Sequence, residues 1–65
     1  MKRYMIILKG QGKDREVMRY EEIEAPSLDI ADLAGRARAE ELSYRQSLAL
    51  GTLRFTFDQS YTVEE

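Results

Sequence analysis

The chain has 65 residues, 43% hydrophobic and 34% charged, with four glycines, one proline, no cysteine and no histidine. That length holds one domain spanning residues 1–65, and the composition excludes collagen, low-complexity linkers and highly charged disordered tails. Ten Lys and Arg against twelve Asp and Glu leave a net charge of −2, which argues against general affinity for nucleic acid or anionic membranes.

The missing residue types remove whole chemistries. Without Cys there is no disulfide staple, and without His or Cys the common zinc sites are excluded. No apolar run approaches the ~20 residues of a membrane span. The run Met5-Ile6-Ile7-Leu8 stops at Lys9, short of a secretory leader's apolar stretch, so a cytoplasmic protein is expected. A domain this small buries only about 60% of its unfolded surface. Self-association is then a common source of extra stability, and a homodimer is considered.

Residues 3–8 are apolar on both alternating faces: Met5 and Ile7 point one way, Tyr4, Ile6 and Leu8 the other. Such a run suits a central strand covered on both sides. Lys9-Gly10-Gln11-Gly12-Lys13-Asp14 reads as a turn, and extended character resumes from Arg15 to Ala25. The glutamates in that second segment suit an edge strand. The two strands form a hairpin that ends at Pro26.

Asp29 is the expected helix N-cap, with Ser27 as the alternative. The helical spacing that follows puts Ile30, Leu33, Ala34, Ala37, Tyr44 and Leu48 on one stripe, with Glu41 interrupting it. Either the stripe drifts toward Leu42, or Glu41 faces a partner across an interface. Glu41 can reach Arg38 and Arg45, and Glu40 can reach Arg36. The helix should end near Leu50, with Gly51 as its cap. From Thr52 to Asp58, Leu53, Phe55 and Phe57 share one face. Tyr61-Thr62-Val63 continues this strand past a bulge at Gln59-Ser60, a short fourth strand being the alternative.

The predicted fold is therefore α+β, ordered β-β-α-β. A three-stranded antiparallel sheet carries one long helix on one face, with the last strand beside the first. Phe55 should meet Ile30 or Leu33 between the layers. The other sheet face is open and is expected to display Tyr4, Arg19, Tyr20, Arg54 and Thr56.

Catalytic machinery is not evident. Without His or Cys the serines lack a base, and the adjacent pairs Glu21-Glu22 and Glu40-Glu41 diverge on a strand or a helix. No catalytic, cofactor-binding or metal-binding residue is assigned, and no cofactor is expected. Gly10-Gln11-Gly12-Lys13 lacks the arrangement of a phosphate loop, and a strand follows it where that loop needs a helix. The reading is a small non-enzymatic accessory protein, of the regulator or inhibitor type, acting by protein–protein contact. Its candidate contact residues are Tyr4, Arg19, Tyr20 and Arg54, because Tyr and Arg dominate interface energetics. The alternative is a nucleic-acid-binding module that uses Lys9, Lys13 and Arg15 of the hairpin.

Overall fold

The structure is a computed structural model that describes residues 1–48 and 53–64. Three strands, β1 (Lys2–Gln11), β2 (Glu16–Ala25) and β3 (Arg54–Glu64), form an antiparallel sheet in the order β2-β1-β3. The helix α1 (Leu28–Leu48) covers one face. This is the expected β-β-α-β arrangement, with the most apolar strand at the centre. The expected helix end at Leu50 and cap at Gly51 lie outside the described residues, as does Thr52.

Alternation along β1 decides what goes beneath the helix. Ile6 and Leu8 are fully buried there. Tyr4 packs with Ala25 and Ala31 at one end of the layer, while Leu8 packs with Ala39, Leu42, Leu53 and Phe55 at the other. β3 is continuous, as the sequence suggested, but its register shifts twice, first one residue before the expected Gln59-Ser60 and again between Thr62 and Glu64. Leu8 pairs with Phe57 and Ile7 with Gln59, so Asp58 is the extra residue. The bulge shifts the alternation by one residue, which turns Ser60 rather than Gln59 toward the helix, where its hydroxyl donates to Asp32.

Three local expectations are corrected. The hairpin loop is shorter, because β1 runs through Gly10 to Gln11 and the Gly12 N–H donates to the Arg15 carbonyl at 2.8 Å. Gly10 is a packing residue: a Cβ there would lie 2.8 Å from the Phe55 ring and 3.0 Å from Val17. The helix starts two residues earlier than an Asp29 cap implies, at Leu28. Ser27 is the N-cap, its Oγ accepting the Ile30 N–H at 3.4 Å, which leaves Asp29 to favour the positive helix end.

The largest correction concerns which way the helix faces. Ala31, Gly35, Ala39 and Leu42 point at the sheet. The more apolar stripe points away: Ile30 is 45% exposed, Leu33 62% and Tyr44 65%, with Ala34 and Ala37 exposed between them. Phe55 therefore meets Ala39 and Leu42 rather than Ile30 or Leu33. Size explains this. Tyr4, Ile6, Leu8, Phe55 and Phe57 fill the sheet's inner face, so the small Ala31, Gly35 and Ala39 fit opposite them, and Leu42 is the larger side chain that packs there, beside Phe55. Glu41 ceases to be a defect, because its stripe is the solvent side. It pairs there with Arg38 and lies 3.8 Å from Arg45.

Candidate interaction surface

The face of the sheet away from the helix is built by the odd residues of β1 and their cross-strand neighbours. Ile7 sits at its centre, opposite Tyr20 on β2 and Gln59 on β3. Met5 lies opposite Glu22 and Tyr61, and Lys9 opposite Met18 and Thr56. Ile7 is only 6% exposed although no helix covers it, whereas Tyr20, Met18 and Tyr61 around it are exposed. The result is an apolar centre with a charged rim, the usual anatomy of a protein interface.

The rim carries its own ion pairs. Arg3 Nη1 donates to Glu22 Oε1 at 2.9 Å at one end, and Lys9 Nζ lies 3.5 Å from Glu16 Oε2 toward the other. Gln11 Nε2 donates to Glu16 at 3.2 Å. Arg54, opposite Gln11, is exposed and makes no ion pair among the described residues. A shallow hollow lined by Arg3, Glu22, Ile23 and Glu24 lies at the Arg3 end.

The four contact residues expected from sequence divide between the two faces. Tyr20 and Arg54 share the open face, about 13 Å apart along β1. Tyr4 is buried under the helix. Arg19 pairs with Leu8 across the hairpin and so lies on the helix side, where its Nε donates to Glu21 at 2.6 Å. The placement of Tyr4 and Arg19 on the open face is thus corrected: both are in register with residues that face the helix. Met5, Ile7, Met18 and Tyr61 complete the face, and the alternation of β1 with antiparallel pairing is the signal that identifies them.

On the helix side, Glu21 joins β2 to α1. It accepts from Arg38 Nε at 3.0 Å as well as from Arg19. Burial pushes the Glu21 carboxyl up, but the hydrogen bonds and charges of Arg38 and Arg19 outweigh it and hold the group below its ordinary value. The hydrogen bond to Glu21 raises Arg38 in turn. This network ties two elements together.

Of the hairpin cations, Lys9 is paired with Glu16, and Lys13 and Arg15 stand exposed in the loop with Asp14 between them. Among the described residues no three potential metal ligands converge, and no helix is long and apolar enough to cross a membrane. Compared with known protein families, curated proteins and solved structures, the chain shows no match.

Proposed function

We propose that this chain is a non-enzymatic accessory protein, of the regulator or inhibitor type, that acts in the cytoplasm by protein–protein contact through the open sheet face. The observation that supports this is the gathering of Met5, Met18, Tyr20 and Tyr61 around Ile7 on a face that no element among the described residues covers. Tyr20 and Arg54 are the anchors: one offers area with a hydroxyl, the other a planar fork for a carboxylate.

The test compares Tyr20→Ala with Lys9→Ala/Lys13→Ala, using capture of partners from lysate and a gel shift with nucleic acid. Loss of protein capture with Tyr20→Ala alone supports the reading. If only the lysine variant loses binding and the bound species is nucleic acid, the hairpin is the working surface and the reading fails. Such binding would also weaken steeply with salt through counterion release.

A further inference from the structure

We propose that the protein partner of the open sheet face presents an acidic segment: an apolar side chain seated beside Tyr20 and Ile7, followed about five residues later by carboxylates that lie over Arg54. The proposal rests on reading that face as a protein interface, and it adds the chemistry of the partner and the direction in which it lies.

Arg54 carries the inference. The strands place three cations on the open face: Arg3, Lys9 and Arg54. Arg3 lies 2.9 Å from Glu22 and Lys9 lies 3.5 Å from Glu16, so both are neutralised within the chain. Glu16 is the carboxylate in Arg54's own cross-strand row, and Lys9 and Gln11 already hold it. Arg54 is left exposed, with no ion pair among the described residues.

The charge around Arg54 has the sign a carboxylate needs. Lys13 and Arg15 lie in the loop just beyond the Gln11 row, and neither makes an ion pair among the described residues. Lys9, Lys13, Arg15 and Arg54 against Asp14 and Glu16 leave this end at +2. The rest of the chain, six cations against ten carboxylates, carries −4. The molecule is 38 Å long, far more than a screening length of about 8 Å, so a partner feels the two ends separately. Arg54 makes the contact, and the loop cations add attraction at longer range.

This polarity favours an acidic polypeptide over a nucleic acid. A nucleic-acid strand carries a charge about every 3.4 Å, so one lying along this face would set phosphates over Glu22 and Glu24 as well as over Arg54. A polypeptide can confine its carboxylates to one end and keep the apolar centre for an apolar side chain. Tyr20 and Arg54 stand two strands and four residues apart, about 16 Å on the diagonal, which about five extended residues span.

The probe is a fluorescein-labelled peptide with a Leu-Tyr pair followed, after a Gly/Ser spacer of about five residues, by three glutamates. Its controls are the same peptide with lysines for the glutamates, one with the spacer cut to a single residue, and an oligothymidylate of about twelve bases. Anisotropy at about 50 mM salt measures binding, amide shifts locate it, and circular dichroism checks the folding of each variant. The expected result is binding of the acidic peptide with shifts at Ile7, Tyr20 and Arg54, weakened at least about fivefold by Arg54→Glu. Arg54→Glu breaks no ion pair seen within the chain, so its effect is not a folding defect in disguise. No binding up to about 1 mM, equal binding of either control peptide, Arg54→Glu without effect, or tighter binding of the oligothymidylate overturns the proposal. If Arg54→Glu has no effect while Tyr20→Ala still abolishes capture of another protein, only the acidic segment falls. If Tyr20→Ala changes neither measurement, the reading of the face falls as well.

Discussion

The Phe57 ring occupies the space that a side chain on Gly35 would fill: a Cβ there would come within 2.4 Å of Phe57 Cε1 and 3.5 Å of Ile6. Arg36 closes the pocket from above, its guanidinium carbon 5.2 Å from the ring centroid. Gly35→Ala should therefore destabilise the protein by about 1–2 kcal/mol, the overpacking outweighing the roughly 1 kcal/mol that alanine contributes to a helix. Urea denaturation checks this; a stabilised variant would show that the ring moves aside freely.

Which stripe of the helix is buried is testable by paired truncations. Leu42→Ala should cost about 2–4 kcal/mol and Leu33→Ala less than about 0.5 kcal/mol, since only Leu42 touches Phe55 and Leu8. Phe55→Ala should cost about 3–5 kcal/mol by the same measurement. The reverse order for the two leucines would mean that the helix is turned about its axis.

Glu21 and Arg38 predict an acid dependence. The Glu21 carboxyl titrates lower in the folded protein than in the unfolded chain, so its contribution is complete above the unfolded value of about 4.5. It is lost as the pH falls through the lowered folded value. Glu21→Gln should lose on the order of 1 kcal/mol at pH 7, and its stability should fall less than the wild type's on acidification. Parallel pH–stability curves for the two proteins would contradict the assignment.

Ser43 predicts a further loss. Its hydroxyl accepts the Phe55 N–H at 2.8 Å and donates to the Phe55 carbonyl at 3.1 Å. Ser43→Ala leaves both backbone groups without that partner and should cost about 1–3 kcal/mol in denaturant, with faster amide exchange at Phe55.

The element order, the central place of β1 and the continuity of β3 are legible in the sequence, because strand alternation and the break at Pro26 are local signals. The face of α1 is not. Ile30, Leu33, Ala37 and Tyr44 make the more apolar stripe, yet Ala31, Gly35, Ala39 and Leu42 are the ones buried, because the fit is decided by the bulk of Phe55 and Phe57 across the layer. Nothing within the helix segment encodes that bulk. The open face was half legible: Tyr20 and Arg54 belong to it, while Tyr4 and Arg19 are carried to the helix side by a register that single-strand alternation does not fix.

The bonds between Ser43 and Phe55 also bear on how this sheet avoids growing. An outer strand normally offers a free row of amides and carbonyls on which a foreign chain can template. At Phe55 that outward pair is already taken by the helix, so a strand arriving at the β3 edge would first have to displace α1 there. At the other margin, β2, Glu16, Arg19, Glu21, Glu22 and Glu24 make an incoming strand bury charge.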